Sequence, residues 1–192
     1  MNLTIIKYNA GNVRSVTNAL HRLGVEPLVS DDPDEIRKAD KIIFPGVGEA
    51  RTAMQYLRKT GLDTLIPTLT QPFLGICLGL QLMCAHTEEN NTDCLGIFPL
   101  TVKRFPDSMK VPHMGWNEIS DPKGPLMKGV EGGYLYFVHS YYAPLAETTI
   151  ARAGYSLDFS AALQQDNFFA IQAHPEKSSH TGQQILKNFI EI

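Results

Sequence analysis

One cysteine lies between two glycines in the segment Gly75–Gly79, which reads Gly-Ile-Cys-Leu-Gly. An apolar run precedes it and a helical pattern follows it, so the segment has the form of a nucleophile elbow, G-x-S-x-G, with Cys in place of Ser. The glycines permit a tight turn, and the amino end of the helix favours a thiolate. We predict that Cys77 is a nucleophile. The alternative, a buried structural thiol, suits Cys84 and Cys94 better because neither has an elbow around it.

A second group with chemical potential is His174, which is followed two positions later by Glu176. A thiolate that attacks an amide needs an acid to protonate the leaving nitrogen, and the pKa of histidine suits this role. In an extended segment, residues i and i+2 face the same side, so Glu176 can accept the imidazole N–H. The pattern predicts a Cys77-His174-Glu176 triad, although a structural histidine remains the alternative. In α/β-hydrolases the acid precedes the histidine along the chain, and here it follows.

The turn Pro45–Gly48, which reads Pro-Gly-Val-Gly, is a candidate oxyanion site. It follows an apolar strand and should lie at the carboxyl edge of the sheet, where open α/β folds bind ligands. Its glycines let a backbone N–H near Gly48 point at developing negative charge, with the Leu78 N–H as a second donor. A plain turn remains an equal alternative. A dinucleotide fingerprint would need glycine at position 51, where the chain has Arg51, and no P-loop occurs.

These groups need strands and helices that position them, and short apolar runs alternate with helical patterns in the first two-thirds of the chain. Such alternation predicts a mostly parallel sheet flanked by helices, an α/β fold. The predicted strands are Leu3–Ile6, Lys41–Phe44 and Phe73–Ile76. Four helices are predicted in this part of the chain. The first begins near Val13 and ends before Gly24, and the second begins at Pro33. The third runs from after Gly48 to about Lys59, and a short fourth helix begins at Leu62.

After Gly96 the pattern changes to aromatic and β-branched clusters between Pro and Gly turns. The cluster Tyr134–Val138 indicates antiparallel strands, which we expect to join the parallel sheet. A closing helix is predicted from about Thr181, and the polar stretch from Thr87 to Asp93 is predicted to be a surface loop. With no linker or repeat, residues 1–192 are predicted to form one domain.

Composition excludes several classes of function. The net charge is −3 and the pI about 6.0, so no basic surplus exists for nucleic acid or an anionic membrane. No run approaches the roughly 20 apolar residues of a membrane helix, and the amino terminus does not resemble a signal peptide. We therefore expect a cytoplasmic protein. Three cysteines without C-x-x-C spacing predict neither a disulfide framework nor a metal site.

Taken together, Gly75–Gln81 and His174–Glu176 resemble the triad, or class I, glutamine amidotransferases. Within that superfamily four further motifs closely resemble the glutaminase subunits of imidazole glycerol phosphate synthases. These motifs are Pro45–Gly48, Pro112–Asn117, Phe137–Tyr142 and His174–Ser178. The resemblance covers nearly the whole chain and implies the flavodoxin-like fold of that family. It implies hydrolysis of glutamine, delivery of ammonia to a separate (β/α)₈ cyclase subunit in histidine biosynthesis, and no cofactor.

The resemblance also implies roles for individual residues. Cys77, His174 and Glu176 match the triad, and Gly48 and Leu78 match the oxyanion donors. Positions that hold glutamine in the family are matched by Gln81, Glu89, Ser140 and Tyr141. In the family, the positions of Tyr8–Asn12, Trp116 and Asn117 contact the cyclase, so the resemblance places Asn12, Trp116 and Asn117 at a partner interface. For Trp116, a position in the core is the alternative. The chain departs from the family pattern at Lys7, Asn9 and Ala173.

Two alternatives remain open at this stage. The chain could be the glutaminase of another synthase, for example one that makes pyridoxal phosphate, with the same catalytic residues and a different acceptor protein. It could also be a non-catalytic module that only regulates a partner. The motif Pro112–Asn117 favours the histidine pathway, and the complete triad argues against a non-catalytic module.

Overall fold

The computed structural model of the chain describes residues 1–9 and 12–192, in which strands alternate with helices from Leu3 to Met83. The described helices are α1 Val13–Arg22, α2 Pro33–Lys38, α3 Ala50–Thr60, α4 Leu62–Leu65, α5 Leu78–Met83 and α6 Ser179–Glu191. The described strands are β1 Leu3–Ile6, β2 Leu28–Ser30, β3 Lys41–Phe44, β4 Phe73–Ile76, β5 Cys84–Thr87, β6 Thr92–Asp93, β7 Phe98–Arg104, β8 His113–Glu118, β9 Tyr134–His139, β10 Tyr141–Tyr142, β11 Thr149–Tyr155, β12 Leu157–Gln165 and β13 Phe168–Ile171.

A seven-stranded sheet with the order β11-β12-β13-β4-β3-β1-β2 forms the centre of the molecule. The strands from β13 to β2 run parallel, whereas β12 and β11 are antiparallel. Strands β1, β3, β4 and β13 are buried along their whole length, which explains their continuous apolar runs. The α/β class with a mostly parallel sheet and C-terminal antiparallel strands, as predicted from the sequence, is confirmed.

Successive strand residues point to opposite faces of this sheet and build a core on each side. Ile43 and Leu74 belong to one core, which includes α1 and α6, whereas Ile42 and Phe73 belong to the other, with α2, α3, α4 and α5. Helices therefore cover both faces of the parallel strands. None of the helices that the structure describes is long and apolar enough to cross a membrane.

Local signals fix the helix ends that the sequence predicts. Asp32 caps α2 by accepting a hydrogen bond from the Asp34 N–H at 2.8 Å, and Pro33 occupies the first helical position. Gly61 ends α3 in the left-handed region with φ 73°, which allows α4 to begin at Leu62. The closing helix begins at Ser179, two residues before the predicted start.

The prediction that antiparallel strands after Gly96 join the main sheet is confirmed for β11 and β12 but wrong for β7, β8, β9 and β10. Strands β8 and β9 pair with each other, whereas β5, β6, β7 and β10 form a small separate sheet. In β9 buried and more exposed residues alternate, which suits a strand that covers the core with one face. The polar stretch from Thr87 to Asp93, predicted to be a loop, includes the tight turn between β5 and β6.

Strand β9 is tied to the segment that carries His174 and Glu176 through the buried Ser178 side chain. The Ser178 hydroxyl donates to the His174 carbonyl at 2.6 Å and accepts from the Tyr136 N–H at 2.9 Å. The His174 N–H in turn donates to the Tyr136 carbonyl at 2.9 Å. The 3-10 turn Pro175–Lys177 therefore has a fixed position against the hairpin of β8 and β9.

Replacement Ser178→Ala should lower the free energy of unfolding by about 1–3 kcal/mol, because the partly buried Tyr136 N–H would lose its acceptor and the His174 carbonyl would lose its bond to the buried hydroxyl. Urea denaturation followed by circular dichroism measures this change. Ser108→Ala, at an exposed position, serves as the control. Equal stability of the two variants would contradict a structural role for the Ser178 hydroxyl.

Candidate active site

Cys77 lies at a strained turn between β4 and α5. Its backbone has φ 52° and ψ −105°, in the positive-φ region that residues with a side chain rarely adopt. A side chain at Gly79 would collide with the carbonyl oxygen of Phe44, and one at Gly75 would collide with Met83. The two glycines that the sequence analysis identified therefore allow strand, turn and helix to approach closely, with Cys77 held at the apex.

The structure brings His174 and Glu176 together as predicted from their spacing. The His174 Nδ1 atom lies 2.9 Å from Glu176 Oε1, and both side chains are buried. The second ring nitrogen, Nε2, has no hydrogen-bond partner among the described residues. Burial alone would lower the pKa of His174, but the adjacent Cys77 and Glu176 raise it to about 10. The arrangement therefore favours an imidazolium beside the cysteine.

The other two thiols lack these features. Burial raises the pKa of the Cys84 thiol well above its ordinary range and raises the pKa of Cys94 to about 12. Neither thiol ionises near neutral pH, and a thiol in that state is a poor nucleophile.

A cavity of about 370 Å³ opens beside Cys77. Cys77 and His174 line this cavity, and so do the two predicted oxyanion residues, Gly48 and Leu78. The lining also contains the four residues that the resemblance assigns to glutamine binding, which are Gln81, Glu89, Ser140 and Tyr141. Of the predicted catalytic and ligand-binding residues, only Glu176 is absent from the lining, because it lies behind His174. The cavity is of a size that suits an amino-acid side chain and backbone.

The predicted oxyanion segment lies against the elbow. Gly48 has φ 119°, a conformation that favours glycine, and the Leu78 N–H donates to the Gly46 carbonyl at 3.4 Å. This hydrogen bond is long, so a stronger acceptor in the cavity could replace it. Gly48 and Leu78 thus line the same cavity as Cys77, with the Leu78 N–H engaged by the Gly46 carbonyl.

Two predicted ligand-binding side chains have defined contacts. Glu89 accepts a hydrogen bond from the Ala50 N–H at 2.8 Å, and burial raises the pKa of its carboxyl group. Gln81, buried in α5, donates from Nε2 to the Tyr141 carbonyl at 3.0 Å and to Gln172 Oε1 at 3.1 Å. Both side chains therefore have fixed orientations at the wall of the cavity.

The residues matched to a partner interface lie in two places. Trp116 is 54% exposed, which rules out the alternative of a core position, and Asn117 donates to the Gly154 carbonyl at 2.8 Å. Asn12 instead lies next to the buried carboxylate, where its Nδ2 donates to Glu176 Oε1 at 3.2 Å. The neighbouring Ala10 and Gly11 lie outside the described residues.

Sequence reasoning missed three buried polar groups beside the cavity. Gln172 is fully buried, and its Nε2 lies 3.7 Å from the Cys77 sulfur. His113 and His139 form a buried pair, with Nδ1 of the former 3.0 Å from Nε2 of the latter. The only sequence signal for these residues was their place in the chain. Gln172 directly follows β13, and the two histidines lie in the motifs Pro112–Asn117 and Phe137–Tyr142. No cluster of His, Cys, Asp or Glu in the described chain is arranged to hold a metal ion.

The fold, the elbow and the buried His-Glu pair define a triad amidotransferase. The family model for class-I glutamine amidotransferases matches residues 4–192, and the chain belongs to that family. Among its relatives, the protein of Bacteroides fragilis called imidazole glycerol phosphate synthase subunit HisH is 56% identical, and its Escherichia coli counterpart is 46% identical. Each similarity covers the full length of both chains.

Solved structures share the fold at much lower sequence identity. A crystal structure of a glutamine amidotransferase superimposes with a TM-score of 0.78 at 19% identity and covers 98% of this chain and 97% of that one. The structure of a putative GMP synthase component from Thermoplasma acidophilum gives a TM-score of 0.77 at 20% identity and covers 100% of this chain and 93% of that one. These likenesses concern the fold alone.

Acid should destabilise the folded chain through the buried His113–His139 pair. Burial lowers the pKa of His113 to about 4 and of His139 to about 3. The unfolded chain binds protons below about pH 6.5 that the folded chain does not bind, so stability falls as the pH decreases from 6.5 towards 4. The raised pKa of His174 acts between pH 6.5 and 10 and leaves this window unchanged.

The slope of unfolding free energy against pH measures this effect between pH 6.5 and 5. Each histidine contributes up to about 1.4 kcal/mol per pH unit. His113→Gln should reduce the slope by roughly that amount, whereas His180→Gln, at an exposed position, is the control. Identical slopes for all three proteins would contradict this prediction.

Proposed function

We propose that this chain is the glutaminase subunit of an imidazole glycerol phosphate synthase, which hydrolyses glutamine to glutamate and ammonia. The observation that carries the proposal is a strained Cys77 that shares one cavity with His174, in a chain related over its full length to subunits of that name. The ammonia then serves a (β/α)₈ cyclase subunit that makes imidazole glycerol phosphate and aminoimidazole carboxamide ribonucleotide in histidine biosynthesis.

The reaction begins with the Cys77 thiolate, whose electron pair forms a bond to the carboxamide carbon while the C=O electrons move to the oxygen. Backbone N–H groups near Gly48 and at Leu78 stabilise this oxyanion. The imidazolium of His174 gives its proton to the nitrogen, and ammonia leaves as the C–N bond breaks. A glutamyl thioester remains on Cys77.

Water completes the cycle with the same groups. The now neutral His174 takes a proton from water, the hydroxide adds to the thioester carbon, and the thiolate leaves as glutamate is released. Glu176 accepts the Nδ1–H of His174 throughout, which keeps Nε2 directed at the reacting atoms. The raised pKa of His174 supports this role, because the imidazolium must be present when ammonia departs.

The cavity wall can recognise the two ends of the substrate. Glu89 offers a carboxylate to the glutamine ammonium group, and its Ala50 hydrogen bond holds that carboxylate in place. Ser140 and Tyr141 line the remaining wall and supply hydrogen-bond donors for the substrate carboxylate. The NH₂ of Gln81 already donates to the Tyr141 carbonyl and to Gln172, so its oxygen is left to accept from the substrate ammonium group. These assignments rest on position in the cavity and on the resemblance of the surrounding motifs.

The partner surface is proposed to be the hairpin of β8 and β9. Its exposed side chains Met114, Trp116 and Tyr134 have 53–59% of their surface accessible, an unusual exposure for large apolar groups. Asn12 contacts Glu176 directly, so a partner that binds near Asn12 could influence the triad. We propose that the cyclase subunit docks on this hairpin and that both subunits work in the cytoplasm.

Two alternative functions fit less well. A glutaminase that serves pyridoxal phosphate synthesis would share the triad, but the relatives from Bacteroides fragilis, Bacteroides thetaiotaomicron and Escherichia coli, at 46–56% identity, are named as subunits of imidazole glycerol phosphate synthase. A non-catalytic binding module would need neither the strained elbow nor an imidazole with an unpaired Nε2 at a cavity.

Replacement of the nucleophile tests the chemistry. Cys77→Ala should reduce glutamate release, assayed with the cyclase and its nucleotide ligand, by more than about 1,000-fold because no thioester can form. Cys94→Ala, which leaves the cavity lining unchanged, is the matched control and should retain activity. Substantial turnover by folded Cys77→Ala would refute the assignment.

A substitution at the hairpin tests the partner. Trp116→Ala should weaken binding of the cyclase by about 2 kcal/mol, a factor of roughly 30, because exposed tryptophans often dominate interfaces. Titration of cyclase-stimulated glutaminase activity measures this. Leu28→Ala, at another exposed apolar residue on edge strand β2, is the control. An unchanged titration curve for Trp116→Ala would exclude the hairpin as the docking surface.

A further inference from the structure

Gln172 is a buried polar residue that the proposed reaction does not use. It directly follows β13 and lies two residues before His174, with no exposed surface. Its Nε2 is 3.7 Å from the Cys77 sulfur, within hydrogen-bond range for a sulfur acceptor. A fully buried amide beside a reactive sulfur is costly unless its hydrogen bonds are satisfied. Its contacts therefore indicate what the amide does.

The orientation of the Gln172 amide is fixed by a chain of hydrogen bonds. The Tyr141 carbonyl can only accept, so the amide group of Gln81 must present its NH₂ there, at 3.0 Å. The same NH₂ lies 3.1 Å from Gln172, which must offer its oxygen in return. The NH₂ of Gln172 consequently faces the Cys77 sulfur as a donor and cannot be flipped without loss of the bond to Gln81.

The Tyr141 carbonyl is itself held from the opposite side. His139 Nδ1 lies 2.7 Å from this oxygen and must be the donor, which leaves Nε2 of His139 to accept from His113 Nδ1. Both histidines are neutral at physiological pH because burial lowers the pKa of each. The direction of every hydrogen bond from His113 to Gln172 is therefore determined.

A hydrogen-bond donor beside the Cys77 sulfur stabilises the thiolate form of this residue more than the thiol form. A thiol can donate to the Val138 carbonyl, 3.9 Å away, and gains little from a second donor nearby. A thiolate accepts hydrogen bonds only, and a donor that points at it forms a charge-assisted bond. A donor from Gln172 would therefore add to the stabilisation that the imidazolium of His174 gives to the thiolate.

We propose that Gln172 is a further catalytic residue, which donates a hydrogen bond from Nε2 to the Cys77 thiolate. This inference rests on the proposed glutaminase chemistry. The hydrogen bond holds the sulfur as an anion before attack, weakens as the S–C bond forms, and forms again when the thioester breaks and the electron pair returns to sulfur. It thus assists the step in which the thiolate is the leaving group.

The first test needs no glutamine. Gln172→Glu keeps the oxygen that accepts from Gln81 but replaces the donor at Cys77 with an anionic oxygen. The rate of Cys77 carbamidomethylation by iodoacetamide, followed at its own peptide by mass spectrometry, gives a pH profile for each variant. We expect the midpoint of this profile to rise by at least about one pH unit, or about tenfold slower reaction at pH 7. The plateau rate at high pH should not fall.

Two further variants separate the donor from the added charge. Gln172→Met is uncharged and of similar volume, and it should move the midpoint in the same direction. Gln55→Glu adds the same charge at an exposed position on α3 and should leave the profile unchanged. A wild-type midpoint in folded Gln172→Met would overturn the proposal, because this variant has no group that can donate to the sulfur.

A turnover experiment assigns the step. In the complex with the cyclase, Gln172→Met should accumulate a glutamyl adduct on Cys77 that mass spectrometry detects after rapid acid quenching, because the thiolate leaves more slowly. An absence of adduct above the wild-type level would overturn the role in thioester breakdown. If the wild-type complex released no glutamate, the proposed function would fail, whereas the alkylation profiles would still decide the role of the Gln172 donor.

Discussion

The parallel pairing of β13 with β4 is the interaction on which the active site depends. It aligns Ile171 with Ile76, and the Cys77 N–H continues the ladder by donating to the Ile171 carbonyl at 2.8 Å. The residues that follow each strand consequently emerge at the same edge of the sheet. Cys77 and His174, almost a hundred positions apart in sequence, therefore line one cavity without a long loop between strand and site. Strand β3, on the other side of β4, brings the Pro45–Gly48 turn to the same edge.

The rigid surroundings of Cys77 allow its unfavourable backbone conformation to persist. A positive φ at a residue with a side chain costs of the order of 1–3 kcal/mol, and the surrounding structure must hold it in place. Here the restraint comes from close contacts on both sides, since Gly79 packs directly on the Phe44 backbone and Gly46 on the elbow. Strand pairing, helix packing and strain thus act together, and the sulfur has little freedom to leave its position beside His174.

The sequence predicted the parts of this site that obey local rules. Gly75 and Gly79 indicated the elbow because their spacing has a steric reason, and His174 and Glu176 were paired because extended residues alternate between faces. The separate hairpin of β8 and β9 could not be predicted, because aromatic and β-branched strands have the same sequence pattern in a core and at a surface. The exposure of Trp116 was implied by the family resemblance, whereas the local sequence left a core position open. Gln172 was missed for a related reason. Its role depends on Gln81, Tyr141 and the sulfur, which only the folded sheet brings together.

A continuous set of hydrogen bonds connects the hairpin of β8 and β9 with Cys77. His113 lies on β8, three residues before Trp116, and its hydrogen bond to His139 continues through the Tyr141 carbonyl and Gln81 to Gln172. Each of these groups is buried or lines the cavity, so a shift of the hairpin cannot be absorbed by solvent. A displacement of β8 must either move the Gln172 amide relative to the sulfur or break one of these hydrogen bonds. If the proposed partner docks on the hairpin, these hydrogen bonds give a physical route by which a movement of β8 would reach the Gln172 amide and the Cys77 sulfur.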